Sequence, residues 1–400
     1  FLYSFTAVFV IAIYQLVKPK MKGKYYKLKE SLSFCIFIQI GMLPLIIYFQ
    51  YEAPAFSFLA NVAAVPLATC AFTLAFLLPY TVFHEAISWM IQGVLWISRQ
   101  SYGMLTIGHV PFLWVLLFYF MTGLWIWKKN GQNRHIRISL AYVIMIILIW
   151  IPMARRKSLA FLDVGQGDCF VADTKSGAII FDGGSSSEDQ VGRYRILPYM
   201  KYLGYQKIQI AVISHMDIDH YSGIKELLEM GKIKYLGLPE IPKDETMKKI
   251  IGIAKKRGTT IFYLSRGRQI TTKDGSLKVL HPQKNSQMEK NAASLVMQGK
   301  ILGYRVLLTG DVEKEGEEEL LSEELERADI LKAAHHGSKN STSNEFLQKV
   351  QPKQTVISCG KQNRYGHPHL ETIHRLQTYR TKIYRTDRSG AIIFFKRRDG

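Results

Sequence analysis

The stretch IQIAVISHMDIDHYSG, residues 208–223, joins an apolar run to a crowded set of polar residues. The apolar run is rich in β-branched and other aliphatic residues, which predicts a buried β-strand. Imidazole nitrogens and carboxylate oxygens are ligands that divalent cations take in proteins. If the loop after the strand curls, it can surround two adjacent ions with four side chains, those of His215, Asp217, Asp219 and His220.

Four further apolar runs deliver polar side chains in the same way, namely AIIFDGG, YRVLLTGDVE, ADILKAAHHGS and QTVISCGKQNRYGHPH. Helical patterns lie between the runs: SGIKELLEM, expected to begin near Ile224, DETMKKIIGIAKKRG and GEEELLSEELERAD. Strands alternating with helices indicate sheets covered by helices, so the five loops are expected to meet at one edge. Asp311 could then bridge two ions, and His335 or His336 could complete one of them.

The first part of the chain has the composition of a membrane region. The whole chain carries 52 Lys and Arg against 32 Asp and Glu, but residues 1–150 hold 11 basic and 3 acidic residues. A bilayer core is spanned by about 20 apolar residues. Apolar runs near that length cover residues 1–17, 31–49, 55–83, 104–127 and 138–153. We therefore predict an α-helical polytopic membrane region over residues 1–153, in the lipid bilayer, as the C-terminal part of a longer membrane segment.

Orientation follows from the charged loops of this region. Residues 18–29 and 128–137 are basic, and basic loops favour the cytoplasmic side. The chain after residue 153 is then expected on the extracytoplasmic side. Residues 84–99 could span, lie flat at the interface or re-enter, which leaves the number of spans open.

Proline and glycine interrupt two of the apolar runs. Pro66, Gly108 and Pro111 predict broken or kinked helices, which lipid tolerates where protein or water satisfies the freed backbone groups. A pore or cavity would provide that environment, and an ordinary proline kink is the alternative.

The motifs between residues 158 and 400 resemble those of the metallo-β-lactamase superfamily. HMDIDH is similar to that family's HxHxDH box, FDGG to its early aspartate motif, LLTGD to its bridging ligand and HHG to its late histidine. LDVGQGDCF, NAASLVM, LKAAHHGS and NRYGHPH, with the hydrophobic region before them, resemble the ComEC family of DNA-internalisation competence proteins. The resemblance implies an α/β domain, an αββα sandwich, over residues 158–400, preceded by a competence-type membrane region.

The resemblance also implies a function and partners. It implies DNA uptake in natural transformation, with a membrane channel segment joined to a metal-dependent nuclease that hydrolyses the strand that is not imported. The partners it implies are single-stranded DNA bound without sequence preference, other DNA-uptake proteins and an energy-supplying protein, with an oligomer as a possibility. Two alternatives remain: a membrane-tethered hydrolase of another envelope ester or amide, and a transporter whose hydrolase-like domain only binds.

The sequence departs from the superfamily pattern at two places. Asp217 stands where the usual box has histidine, and the usual histidine before the bridging aspartate has no clear counterpart; Asn291 lies in that region, with His281 as a poorer candidate. Fewer nitrogen ligands favour harder ions. We expect two divalent ions, with Mn²⁺ preferred and Zn²⁺ as the alternative.

Roles can be assigned residue by residue on this basis. We expect His215 and Asp217 on one ion, Asp219, His220 and His335 or His336 on the other, and Asp311 on both. The ions would activate water for attack on phosphorus, with Asp219 orienting that water. His367 is a candidate for protonating the leaving group, or is a plain loop histidine. Supporting residues are Asp163, Gln166 and Asp168, which line the site or shape a glycine turn, and Asp182, which braces the loops.

Two basic segments are candidates for binding the nucleic acid. Residues 193–207 interleave basic residues with four tyrosines, and residues 375–398 are strongly basic. Basic charge attracts the phosphate backbone and aromatic rings stack on bases. The contact residues predicted from the first segment are Arg193, Arg195, Lys201 and Tyr202.

Overall fold

The computed structural model describes residues 2–17, 22–54, 85, 87–89, 91–93, 104–127 and 156–397. The contacts divide the chain into two compact units, Phe1–Met153 and Ala154–Gly400. Each unit is described by itself.

The first unit is mainly helical in its described part. Its elements are α1 (Leu2–Val17), α2 (Tyr26–Gln50), β1 (Glu52–Pro54), β2 (Met104–Thr106) and α3 (Phe112–Trp127). Strands β1 and β2 pair antiparallel. Within the described residues, one helix, Lys29–Gln50, is long and apolar enough to cross a membrane by length and composition.

The predicted apolar spans are described only in part. Helix α2 contains the run 31–49, whereas residues 55–83, with Pro66, and residues 138–153 lie outside the described residues. The run 104–127 is interrupted, in agreement with the break predicted from its glycine and proline: β2 occupies the start of the run and helix α3 begins only at Phe112. Gly108 adopts a φ of 89° and Pro111 directly precedes the helix, so these residues separate the two elements.

The second unit is built on two seven-stranded sheets. The first sheet has the order β16-β3-β4-β5-β6-β7-β8 and the second β15-β14-β13-β12-β11-β10-β9. The first contains β3 (Ser158–Phe161), β4 (Phe170–Thr174), β5 (Gly177–Phe181), β6 (Ile208–Val212), β7 (Ile233–Pro239), β8 (Thr260–Leu264) and β16 (Ile392–Phe395). The second contains β9 (Gln269–Thr272), β10 (Gly275–His281), β11 (Val296–Ile301), β12 (Tyr304–Leu308), β13 (Ile330–Lys332), β14 (Gln354–Ile357) and β15 (Lys382–Arg385).

Helices cover the outer face of each sheet. The first sheet packs against α4 (Leu197–Tyr202), α5 (Ile218–Glu229) and α6 (Glu245–Lys256), and the second against α7 (Lys314–Leu321), α8 (Asn344–Val350) and α9 (Leu370–Thr378). Between the sheets lies a third core, to which both contribute, for example Phe161 and Val279. A short helix, α10 (Thr386–Ser389), precedes the last strand. The four layers form the predicted αββα sandwich.

Parallel pairing brings the important strand ends together. Strands β5 to β8 run parallel to one another, as do β12 to β15. Their carboxyl ends therefore face one edge of each sheet, where the loops after β5, β6, β12, β13 and β14 contact one another.

Two predicted helix bounds were wrong. Helix α5 begins at Ile218 and not near Ile224, because Asp217 takes an extended N-cap conformation (φ −103°, ψ 149°) directly after the strand. Helix α7 ends at Leu321, so the pattern GEEELLSEELERAD is helical only in its first half. The acidic residues after Leu321 form turns, and Glu323 pairs with Arg266 at 2.8 Å.

Candidate metal centre

Three histidines face the carboxylate of Asp311, which follows β12, and a fourth packs beside them. From the Oδ2 atom of Asp311, the Nε2 atoms of His220, His336 and His335 lie 3.2, 3.3 and 3.8 Å away. The fourth, His215, packs its ring 4.1 Å from that of His220, and its Nε2 lies 3.6 Å from Asp217 Oδ2. Three strand ends, those of β6, β12 and β13, thus bring their side chains to one point.

The opposite ring nitrogens of His215, His220 and His336 are hydrogen-bonded to neighbouring groups, whereas that of His335 lies beside a carboxylate without a hydrogen bond of acceptable geometry among the described residues. Asp182 Oδ2 lies 3.0 Å from His220 Nδ1, and the carbonyl of Ser358 lies 2.9 Å from His336 Nδ1. His215 Nδ1 contacts the Ser214 hydroxyl at 3.0 Å, and His335 Nδ1 lies 2.9 Å from a Glu313 carboxylate oxygen. Partners at Nδ1 fix the ring and leave the Nε2 lone pair available, as in metal-binding histidines.

The buried Nε2 atoms fit a divalent ion. Those of His215, His220 and His336 make no hydrogen bond of acceptable geometry with any residue in the described part of the chain. Buried polar atoms normally have a partner, so three such atoms beside carboxylates fit a site that binds a cation. Ligand atoms of one set of four residues all lie within 4.8 Å of one another: Asp219, His220, Asp311 and His336.

Electrostatics support the same conclusion. Burial favours the neutral imidazole, but the charges of Asp311 and Asp182 raise the pKa of His220 well above its usual range. Burial likewise opposes ionisation of Asp311, yet the neighbouring His220 and His336 hold its pKa well below the usual value. The contact with His215 lowers the pKa of Asp217 to about 2. The centre thus concentrates negative charge that attracts cations.

Helix α5 carries two of these residues in its first turn. The carboxylate of Asp219 lies 3.4 Å from His336 Nε2, and His220 is fully buried beside it. Asp217, at the N-cap, is more exposed and also contacts Lys290 at 3.5 Å. The box therefore spans a short bent loop, which carries His215 and Asp217, and the start of a helix, which carries Asp219 and His220.

Asp182, in the FDGG motif, hydrogen-bonds to the loop after β6 and faces His220. It is fully buried, its Oδ1 accepts a 2.7 Å hydrogen bond from the backbone N–H of Ser214, and its Oδ2 faces His220. Asp182 adopts a left-handed φ of 56°, which turns the chain sharply at the end of β5.

The sequence analysis missed Lys332, at the end of β13. Its ammonium group is buried, pairs with Asp168, lies 3.3 Å from Asp311 Oδ1 and donates to the carbonyl of Gly310 at 2.8 Å. Lys332 therefore pairs with Oδ1 of Asp311, and Oδ2 of the same carboxylate faces the histidines. A lysine inside the otherwise apolar run ADILKAA was the available signal, since unpaired lysine is almost never buried.

Backbone strain positions the HHG segment. His335 and His336 adopt φ values of 46° and 53°, and Gly337 follows at 83°. Non-glycine residues in this region cost about 1 kcal/mol or more each, and such strain concentrates at functional sites. The sharp turn directs both imidazoles towards Asp311, so both histidines named in the prediction reach the centre.

Two glycines allow the loops to touch the α5 backbone. A Cβ on Gly184 would lie 2.5 Å from the backbone nitrogen of His220, and one on Gly167 would lie 2.2 Å from the carbonyl oxygen of Gly184. The backbone N–H of Asp168 donates to the carbonyl of Asp219 at 3.0 Å. These contacts fix the position of the first turn of α5 against the neighbouring loops.

A cavity of about 470 Å³ opens above the histidines. Its lining includes Asp219, Asp311, His335 and His336 on one side and Tyr365 on the rim. Other predicted residues that line it are Gln166, Asp217, Asn291 and His367. Substrate would therefore approach the centre from this side.

The environment of His367 disfavours the predicted general-acid role. Burial and the nearby His336 and His335 lower its pKa to about 4, so the ring is neutral at neutral pH. It can still donate or accept a hydrogen bond through one ring nitrogen.

Several other predicted residues take supporting or separate positions. Asn291 lies 3.5 Å from Glu313 Oε1 and reaches the cavity. The suggestion of His281 as a ligand is not supported, because its Nε2 contacts the carbonyl of Ala292 at 2.7 Å and its Nδ1 faces Glu319. Asp163 accepts from the backbone N–H of Gly165 at 3.2 Å, the glycine-turn alternative.

The four predicted nucleic-acid contacts lie away from this cavity. Arg193 and Arg195 are on a π-helical turn, residues 192–196, and Lys201 and Tyr202 follow on α4. Arg195 lies 3.9 Å from Glu188, and Tyr202 stacks on Tyr199 with ring centroids 6.0 Å apart. None of the four is among the residues that line the cavity.

Known proteins match both parts of the chain. The model of the metallo-beta-lactamase superfamily matches residues 162–361, and that of competence proteins matches residues 1–132. ComE operon protein 3 of Bacillus subtilis is 30% identical over 100% of this chain and 55% of its own length. Competence protein ComA of Neisseria gonorrhoeae is 30% identical over 60% of this chain and 32% of its own. The chain thus spans about half, or less, of these relatives.

Solved structures give a weaker match. The metallo-beta-lactamase fold protein YhfI from Bacillus subtilis is 13% identical, covers 59% of this chain and 99% of its own, and has a TM-score of 0.41.

Proposed function

This chain belongs to the metallo-β-lactamase superfamily and, with its competence region, to the ComEC family, and on that premise we propose that it acts in DNA uptake as a metal-dependent phosphodiesterase. Its substrate is the DNA strand that does not enter the cell. Residues 1–153 are the membrane part, multi-pass in the cell membrane, and residues 158–400 are the hydrolase on the extracytoplasmic side.

One observation carries the hydrolase assignment: several buried imidazole Nε2 atoms converge on the carboxylate of Asp311 without a hydrogen-bond partner among the described residues. Two divalent ions held there would polarise a phosphoryl group and activate water at neutral pH. The proposed ligands are His215, Asp217, Asp219, His220, Asp311, His335 and His336. Carboxylates make up three of these seven residues, which favours Mn²⁺, with Zn²⁺ as the alternative.

The protein's own groups prepare the reaction. Asp182 holds His220 in the tautomer with a free Nε2, and Lys332 fixes Asp311 so that Oδ2 faces the histidines. Asp219, at the cavity floor, can accept a proton from the attacking water. His367, neutral at neutral pH, is placed to hydrogen-bond the leaving oxygen rather than to protonate it.

The test is cleavage of labelled single-stranded DNA in the presence of Mn²⁺ by the wild-type chain and by Asp311→Ala. We expect cleavage by the wild type and background activity in the variant. Lack of cleavage by fully metal-loaded wild type would move the assignment to another envelope ester or amide, or to a domain that only binds.

A further inference from the structure

The loop between β14 and α9 forms one rim of the cavity. The side chain of Asn363 closes it into a turn, since its amide donates to the carbonyls of Gly360 and His367 at 2.9 and 2.6 Å and its Oδ1 accepts from the His367 N–H at 3.0 Å. Gln166 Oε1 accepts from the Gly360 N–H at 3.1 Å and ties the turn to the opposite sheet. The tip of the turn is therefore held in place before any ligand arrives.

The tip carries an exposed tyrosine beside an exposed arginine. Tyr365 is 43% exposed, lines the cavity and stacks on His367 at 5.7 Å with an interplanar angle of 21°. Arg364 donates to the Tyr365 hydroxyl at 2.7 Å, with its guanidinium carbon 4.9 Å from the ring centroid. The Tyr365 hydroxyl, and to a lesser degree Asp219, raises the pKa of Arg364, so this side chain remains a cation.

We propose that Arg364 and Tyr365 form a nucleotide shelf that selects unpaired DNA, an inference that rests on the proposed function. Arg364 binds a phosphate next to the scissile one, and an extruded base stacks on the layered guanidinium and tyrosine groups. Arginine planes and aromatic rings are the surfaces on which unpaired bases stack. A base inside a duplex has both faces covered by its neighbours, so it cannot use the shelf without losing that stacking.

The opposite rim supports a strand running across the cavity. Lys290 lies on that rim, 3.5 Å from Asp217 and 3.8 Å from Asp244. Arg364 on one rim and Lys290 on the other can each bind a phosphate of a DNA strand. Asp219 and His336 lie on the cavity floor between these two cations. The shelf therefore places the scissile phosphate by holding its neighbours.

Binding of trithymidine, and of the same oligomer with an abasic central position, tests the shelf. The full chain is used in detergent with Mn²⁺ at early times, before cleavage proceeds. We expect the wild type to bind the intact oligomer about tenfold more tightly. Tyr365→Leu should abolish that preference, and Tyr365→Phe should keep it because the ring remains. Equal binding of the two oligomers by the wild type, or an unchanged preference in Tyr365→Leu, overturns the proposal.

A matched control and a second readout separate stacking from general damage. Lys234 and Tyr235 form a similar pair outside the cavity, with the ammonium 5.1 Å from the ring centroid, so Tyr235→Leu should retain the preference. Arg364→Gln should weaken the binding of both oligomers and reduce the slope of log affinity against log salt by about 0.7. An unchanged slope would contradict the phosphate contact. If the proposed function is wrong but the shelf exists, the wild-type chain will bind the oligomers as expected and will not cleave DNA.

Discussion

Replacing Asp182 by asparagine should weaken metal binding although Asp182 touches no ion in our account. The asparagine oxygen can still accept the 2.7 Å hydrogen bond from the Ser214 N–H. Its amide nitrogen then faces His220 Nδ1, 3.0 Å away in the wild type, and as a donor it requires Nδ1 to be an acceptor. The ring proton moves to Nε2, the atom that faces Asp311, and a protonated Nε2 cannot bind a metal.

The size of the effect follows from the loss of the shorter of two contacts to His220 Nδ1, since the Ser214 hydroxyl, at 3.4 Å, remains in the variant. Removing a group that orients a ligand histidine typically costs about 10- to 100-fold in metal affinity, or about 1.4–2.7 kcal/mol. Titration of the apo chain with Mn²⁺, followed by calorimetry, measures it. Asp173→Asn is the control, because Asp173 is equally buried and contacts Lys157 at 2.7 Å and Tyr205 at 2.6 Å, away from the centre.

Asp173→Asn should lower the free energy of unfolding and leave metal affinity within about twofold of the wild type. If Asp182→Asn bound Mn²⁺ as tightly as the wild type while Asp173→Asn behaved as expected, the tautomer argument would be refuted.

Three further outcomes are expected. Lys332→Met leaves Asp168 and Asp311 buried without their cation, so urea denaturation of the apo chain should show a loss of about 3–5 kcal/mol, and an unchanged midpoint would contradict the pairing. The raised pKa of His220 means that its ion pairs stabilise the apo fold below pH 6.5, and that this stability is lost as pH rises through the raised pKa. Because Mn²⁺ competes with protons for the histidines, the increase in Tm caused by Mn²⁺ should become larger between pH 6 and 9. The same increase in Tm at every pH would count against the metal centre. Gly184→Ala should abolish metal binding or folding, because its Cβ would meet His220 N at 2.5 Å, whereas Gly252→Ala, with open space around it, should be tolerated in thermal melts.

Local pattern was sufficient to predict the strands that lead to the candidate centre. The apolar runs before Asp182, His215 and Asp311 predicted buried strands ending in polar loops, and parallel pairing made those ends meet. Periodicity could not place the start of α5, because Asp217 serves both as N-cap and as a cavity residue. The sequence analysis placed the whole box on one loop, whereas Asp219 and His220 lie in the first turn of α5.

The contacts missed by sequence reasoning depend on distant parts of the chain. The partner of Lys332, Asp168, is set by the fold, and the neutral state of His367 follows first from its burial and then from two histidines on a different loop. The sequence analysis chose residues 193–207 by their composition, whereas the basic and aromatic residues at the cavity include Lys290 and Tyr365, with Arg364 beside Tyr365. Such pairings are set by tertiary packing, which single-sequence patterns do not record.

The metal content of the purified chain tests the central claim most directly. After reconstitution with Mn²⁺ or Zn²⁺ and removal of free metal, elemental analysis should give close to two ions per wild-type chain and at most one in Asp311→Ala, because the shared carboxylate holds both. Fewer than one ion per wild-type chain, or the same content in Asp311→Ala, would contradict a two-metal centre built on Asp311.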